Sequence, residues 1–384
     1  MNFDTLDMSR LRALAGYKWR RYGDDVLPAW VADMDFLQAE PIRDYVARAA
    51  ATGDLGYPFA DGPEPLQEVF AGRSLERYGW QVDTDRVELI IDVVQGLYLA
   101  FEMYCEAGEG AIIPTPIYPN FLSAARDTGR RAIECPLVID GGRYALDLDA
   151  MEAAVDAGTR MIMVCNPHNP SGRVFERGEL EALAETALRH DLVVIADEIF
   201  ADMVYEGHEF IPFATLGPEI AARTLTYHSC TKAFNLGGIR IAVAVFGSEP
   251  LHARFKAIAK RTLGGHNCLG IPLSRIAWTQ CGDWLEAVVG YLQSNRDFVT
   301  EYFARNMPGV GYLPAEATYF AWMNCAELDL PGGPYEYFLE HAKVGLSNGV
   351  DFGRAGEGCV RLNYATPRAL LEQILERIAA SLQK

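Results

Sequence analysis

At 384 residues, half of them hydrophobic and 22% charged, the chain is long enough for a substantial core and two domains. A formal net charge of −18 argues against nucleic acid or an anionic membrane surface as a partner. The eight cysteines are scattered, with no C-x-x-C and no ligand-like cluster, so reduced thiols and no metal site are expected.

The opening carries no charged-then-apolar leader and no apolar run nears membrane length, so a soluble, cytoplasmic protein is expected. Residues 1 to about 40 are rich in aromatics and acids without periodicity, and read as an arm wrapped over a neighbour. Pro41 opens a helix whose apolar positions Ile42, Tyr45, Val46, Ala49 and Ala50 share one face, and Gly53 and Gly56 end it. Val87 to Ile91 reads as a strand and Leu97 to Tyr104 as a helix. The junction Val93-Val94-Gln95-Gly96 is a candidate anion site, where free N–H groups and the helix dipole meet and glycine permits close approach. No lysine follows that glycine, so it is not a Walker loop.

Ala111-Ile112-Ile113 is a short strand ending in Pro114-Thr115-Pro116-Ile117-Tyr118-Pro119, whose prolines stiffen the turn and fix the Tyr118 ring. Two unbroken apolar runs follow, Met161 to Cys165 after Arg160 and Leu192 to Ala196, of the kind covered on both faces in a parallel sheet. The first ends in Asn166-Pro167-His168-Asn169-Pro170-Ser171-Gly172, the second in Asp197-Glu198. An amphipathic helix over 180–188 joins them as a βαβ unit. Thr224 to His228 leads into a small-residue loop with Ser229 and Lys232, and Arg240 opens a further apolar run to Phe246. Arg254, Lys256, Lys260 and Arg261 read as a solvated basic helix face.

A long helix from Trp284 to Asn306 should lead to a smaller domain with strands at Thr318–Met323 and Gly358–Tyr364. Thr366-Pro367 caps a final helix bearing Leu370, Leu371, Ile374, Leu375 and Ile378. The expected division is an arm (1–45) packing with the small domain near the substrate entrance, a large domain (46–283) and the small α+β domain (284–384).

Ligands in open α/β sheets sit beyond the carboxyl ends of strands, where Asn169, Asp197 and the Lys232 loop should converge. An amine beside hydroxyls and an arginine suits an aldehyde cofactor that needs both a Schiff-base partner and a phosphate anchor. The order and spacing of Asn169, Asp197, Lys232 and Arg240 resemble fold type I pyridoxal-phosphate enzymes, the aspartate-aminotransferase fold of aminotransferase class I/II. Within that superfamily, Tyr17-Lys18-Trp19, Trp30 to Phe36, Gly56-Tyr57-Pro58, Gly207-His208 and Ile211-Pro212-Phe213 resemble the MalY/PatB-type carbon–sulfur β-lyase branch.

The resemblance implies an α/β fold with a mostly parallel large-domain sheet, pyridoxal 5'-phosphate as cofactor, and a homodimer with shared active sites. It makes Lys232 the Schiff-base lysine and general base, Asp197 the partner of the pyridine nitrogen, and Tyr118 the ring stacked on the cofactor. Asn169 is placed at the ring hydroxyl, with Gly96 and Leu97 N–H groups, Ser229 and Arg240 on the phosphate. Arg361 is implied to clamp the substrate α-carboxylate, and Tyr57 to reach the partner subunit's site. The implied reaction is β-elimination from an S-substituted cysteine, giving thiol, pyruvate and ammonia. An aminotransferase would share every cofactor residue, and decarboxylation coupled to oxidative deamination is a further alternative. A cofactor-binding regulator would need a DNA-binding module, and residues 1–40 show no helix-turn-helix pattern. One position departs from the pattern: Phe200 stands where related enzymes carry tyrosine or histidine, and cannot donate a hydrogen bond.

Overall fold

Seven strands form the frame that carries the site: β1 (Val87–Ile90), β2 (Gly110–Thr115), β3 (Arg131–Pro136), β4 (Thr159–Cys165), β5 (Val193–Asp197), β6 (Thr224–His228) and β7 (Ala242–Phe246). The computed structural model describes residues 1–58, 64–258 and 263–383. The strand order across the sheet is β1-β7-β6-β5-β4-β2-β3. Neighbours from β3 to β6 pair in parallel, while β7 is antiparallel to both β6 and β1. The unbroken apolar runs suit this architecture: β2 and β6 are buried along their whole length. Because β7 alone is reversed, its first residues lie at the edge where the other strands end. That brings Arg240 beside Asp92, Asn169, Asp197 and Lys232.

Helices cover both faces of the sheet. Leu97, Phe101 and Phe121 pack on one face, and Leu180 and Leu183 on the other. The Arg177–Arg189 helix starts at a capping box in which the Glu176 and Glu179 side chains each accept a backbone N–H. The Glu40–Thr52 helix starts at Pro41 and ends on Gly53 in the left-handed region, where glycine carries no Cβ penalty. Its apolar stripe is only partly covered within one chain: Ile42 and Ala49 are buried, but Val46 and Ala50 are exposed.

The arm and the C-terminal third share one core, in which Phe3, Trp19 and Phe36 pack with Trp284, Phe320 and Leu371. Leu27–Pro28 of the arm pairs in parallel with Val344–Gly345. The C-terminal third carries a four-stranded sheet in which Phe320–Asn324 pairs antiparallel with Cys359–Asn363. Two boundaries shift against the sequence expectation. Residue 45 lies inside the Glu40–Thr52 helix, so the arm ends before Glu40. Residue 284 lies inside the 25-residue Gly282–Asn306 helix. The last helix starts at Arg368 with Pro367 as its N-cap; the buried Thr366 hydroxyl has no partner and caps nothing. Of the basic face, Arg254 donates to the Met103 carbonyl and Lys256 pairs with Glu249, while Lys260 and Arg261 lie outside the described residues.

Candidate active site

At the carboxyl edge of the sheet one cavity is lined by Asp92, Val93, Val94, Tyr118, Asn169, Asp197, Lys232 and Arg240, with Ala32 of the arm closing one side. Each chemical group arrives on a strand end or the turn after it. Asp197 is the last residue of β5, opposite Cys165 at the end of β4, and Asn169 follows in the turn beyond β4. Lys232 lies four residues beyond β6, and Tyr118 is the N-cap of the Pro119–Asp127 helix.

Lys232 is half-buried and its amine makes no hydrogen bond or ion pair among the described residues. Burial holds its pKa below the ordinary lysine value, Asp33 opposes this, and Arg361 pushes it further down. Burial pushes the Asp197 carboxyl up to about 7, against the pull of the Ile199 N–H and Lys232. Its Oδ1 accepts that N–H at 3.1 Å. A buried carboxylate with one backbone donor and no cation in contact lacks a positive partner. A protonated pyridine nitrogen is a group of that kind.

Arg361 is buried between aromatic rings, 4.0 Å from the Phe320 centroid and 5.0 Å from that of Phe352. Its Nη1 donates to Asn169 Oδ1 at 2.7 Å, and its Nη2 to the Trp30 carbonyl at 3.0 Å and Ser347 Oγ at 3.2 Å. Its buried Nε has no partner. Asn169 therefore spends its acceptor on Arg361, which leaves its amide N–H₂ as the group available to an oxygen-bearing ligand.

The phosphate end differs from the sequence reading. The helix over Val93–Tyr104 begins four residues earlier than Leu97, with Asp92 as N-cap accepting Gln95 N–H at 2.7 Å. Gly96 is therefore inside the helix: its N–H donates to Asp92 O at 3.2 Å, and Leu97 is fully buried one residue further on. Neither Gly96 nor Leu97 lines the cavity. The free donors are the N–H groups of Val93 and Val94 in the first turn. Gly96 has a packing role instead, since a Cβ there would sit 2.6 Å from the Tyr227 ring. The signal was present in the sequence: Asp92 followed three residues later by Gln95 marks a helix start.

Ser229 is also displaced from its expected role. Its hydroxyl donates to Ile241 O at 2.6 Å and accepts Thr231 N–H at 3.2 Å, which shapes the loop, and Thr231 is the residue that faces the cavity. Arg240 reaches the helix start, where it pairs with Asp92 at 2.5 Å, so a phosphate there competes with Asp92 for the guanidinium. Tyr57 is fully exposed and outside this chain's cavity. Phe200 is buried against Tyr319 and Phe320 and gives the cavity an apolar wall. These groups fit pyridoxal phosphate: an unpaired amine, an uncompensated acid, a tyrosine ring, and a helix N-terminus with an arginine beside it.

Sequence and structure comparisons agree with that fit. The model of the aminotransferase class I and II family matches residues 32–378. The cystathionine beta-lyase PatB of Bacillus subtilis is 31% identical, with both chains covered in full. The crystal structure of OvoB superposes with a TM-score of 0.94 at 35% identity over 100% of each chain. That of the PLP-bound C–S lyase from Staphylococcus hominis does so with a TM-score of 0.93 at 28% identity, over 100% of this chain and 99% of the other.

Proposed function

The chain belongs to the aminotransferase class I and II family, and from that premise we propose that it is a pyridoxal-phosphate-dependent carbon–sulfur lyase acting on an S-substituted cysteine. The reaction releases a thiol, and the remaining unsaturated amino acid takes up water to yield pyruvate and ammonia. The observation that carries the reading is the unpaired Lys232 amine, which lines one cavity with Asp197, Asn169 and Tyr118. Full-length similarity to named carbon–sulfur lyases selects elimination over amino transfer.

Pyridoxal phosphate supplies an electron sink that acidifies the substrate's Cα–H and lets the Cβ–S bond electrons depart with sulfur. Lys232 would hold the cofactor between turnovers, and its free amine would take the substrate's Cα proton, a role suited to a lysine whose pKa is lowered by desolvation. When the cofactor is bound, Asp197 would keep the ring nitrogen protonated, Asn169 would donate to the ring oxygen, and Tyr118 would cover the ring face. Val93 and Val94 N–H groups, Thr231 and Arg240 would hold the phosphate. Arg361 takes the substrate α-carboxylate, its fork pre-set by Asn169, Trp30 O and Ser347. Phe200, which lines the cavity, would offer the ring no hydrogen bond.

A homodimer is part of the proposal. Val46, Leu55 and Tyr57 are exposed apolar or aromatic side chains on or just after one helix, and Tyr57 would enter the partner's cavity. Eight unpaired cysteines, seven of them buried, fit a reducing cytoplasm. Among the described residues no helix is long and apolar enough to cross a membrane.

Incubating the holoenzyme with a cysteine S-conjugate, without added keto acid, should yield equal amounts of pyruvate and free thiol. A strict keto-acid requirement with amino-group transfer would overturn the lyase reading, and oxygen uptake with decarboxylation would replace it.

A further inference from the structure

We propose that Asn235 is a positioning residue whose side chain fastens the turn carrying Lys232 to residues 29–38. Those residues in turn grip the strand of Arg361, so the amine and the carboxylate clamp are held at one spacing. This rests on the lyase reading above. Asn235 lies in a turn closed by Phe234 N–H to Cys230 O at 3.0 Å and Leu236 N–H to Thr231 O at 2.8 Å. Lys232 and Asn235 therefore belong to one hydrogen-bonded unit. The backbone at Asn235 is left-handed, with a φ of 54°, which asparagine and glycine tolerate and most residues do not. Its side-chain Oδ1 accepts Met34 N–H, and its Nδ2 donates to the carbonyls of Met34 and Phe36, each at 3.0 Å. Its own carbonyl accepts Gln38 Nε2 at 3.0 Å. Met34 and Phe36 are buried, so this one amide satisfies backbone groups that water does not reach.

The same segment is held from its other side by the Cys359–Asn363 strand, which carries Arg361. Asn363 Nδ2 donates to the carbonyls of Val31 and Asp33 at 2.6 and 2.8 Å, and its N–H to Ala29 O at 2.8 Å. Trp30 O accepts Arg361 Nη2 at 3.0 Å and Ser347 Oγ at 2.8 Å. Between these grips Ala32 lines the cavity with Lys232, and its carbonyl accepts the Tyr319 hydroxyl at 3.2 Å. Among the described residues no hydrogen bond joins the turn over 230–236 directly to the Cys359–Asn363 strand. Residues 29–38 are thus the hydrogen-bonded bridge between the two, and Asn235 is its fastening at the lysine end.

Elimination depends on that spacing. The Cα–H bond breaks with its proton going to Lys232 Nζ and its electron pair kept by the carbon skeleton. The Cβ–S bond then breaks with its pair on sulfur, which takes up a proton and leaves as thiol. No oxidant or reductant is needed. Arg361 sets where the α-carboxylate lies and the Lys232 turn sets where the amine lies, so the aim of Cα–H at Nζ depends on both. A misplacement of about 1 Å, caused far from the chemistry, can cost about 100-fold in rate.

The test uses N235G, which keeps the left-handed backbone and removes the side chain, and N235D. The latter keeps an acceptor for Met34 N–H but turns a carboxylate oxygen toward two carbonyls. In the cofactor-free protein, amide hydrogen exchange at Met34 should speed up about 10-fold in N235G. Exchange at Asp35, whose N–H is bonded to Ala365 O at 2.9 Å, should stay close to wild type. In the holoenzyme, kcat per bound cofactor with a cysteine S-conjugate should fall about 10- to 100-fold. KM and the cofactor Kd should stay within about twofold, because the Arg361 and phosphate contacts are untouched. N235D should lose at least as much kcat. Unchanged Met34 exchange in N235G overturns the proposal, as does a wild-type kcat in either folded variant. A raised KM with kcat intact also overturns it, since Asn235 would then serve substrate binding. If N235G does not fold, N235D is read by kcat alone; if neither folds, the side chain is structural and the proposal falls. A wild-type enzyme that releases no pyruvate would remove the lyase reading, whereas Met34 exchange is read without substrate or cofactor and tests the fastening separately.

Discussion

Asp197 carries the sharpest electrostatic consequence of burial. Its folded pKa, near 7, stands above the unfolded value of 3.8, so its protonated form is the one the cofactor-free fold favours. The resulting stabilisation is complete below about pH 4 and is lost as pH rises through about 7, with an upper limit of about 4 kcal/mol. Glu198 beside it is also pushed up by burial, to about 8, and accepts the Phe213 N–H, so two neighbouring carboxyls resist ionisation. Asp197→Asn should therefore melt higher than wild type in the cofactor-free state at pH 8, with the difference vanishing near pH 4. The same substitution should weaken cofactor binding, since the ring nitrogen loses its counter-charge. Parallel pH–melting curves for the two cofactor-free proteins would show that Asp197 ionises without cost.

At the scale of elements, the Val93–Tyr104 helix separates two roles that a Gly-rich junction suggests together. The first-turn N–H groups face the cavity, whereas Gly96 faces Tyr227, whose hydroxyl donates to Gly96 O at 2.5 Å. Val93→Pro removes one donor at a position that accepts proline, because Asp92 before it is already extended. Relative to a Val93→Ala control it should weaken cofactor binding about 10- to 100-fold, the range for a hydrogen bond to a charged group. Gly96→Ala should instead lower stability by about 1–3 kcal/mol through overpacking, with little direct effect on cofactor Kd. A Gly96→Ala protein of normal stability that cannot hold cofactor would return the phosphate to Gly96.

At the scale of the whole molecule, the segment at Glu316 is fastened to the turn after β4. Glu316 accepts Arg143 Nε and Arg173 Nη1, each at 2.8 Å, and Gly172 O receives the N–H groups of Glu316 and Ala317. These contacts tie the Asn169 turn to the segment leading into Phe320–Asn324. The exposed Tyr57 extends the argument to two chains. Lys232→Ala and Tyr57→Ala chains, each weak alone, should regain activity when mixed and reassembled. Random exchange would leave about a quarter of sites with both residues intact. No recovery above the Tyr57→Ala protein would mean that Tyr57 serves no partner site.

The mostly parallel sheet, its helices and the four-residue signature Asn169, Asp197, Lys232 and Arg240 were legible in the chain itself. Unbroken apolar runs, helical periodicity and turn residues are local signals, and they place strand ends without knowledge of what packs on them. Hydrogen-bond partners are not local. That Gly96 lies under Tyr227, that the Ser229 hydroxyl is spent on Ile241, and that Arg361 grips Asn169 follow from segments distant in the chain meeting in the fold. Residue type and spacing determined which chemistry the chain carries. Only tertiary packing decided which donors and acceptors remain free to perform it, because each group already satisfied inside the protein is withdrawn from the ligand.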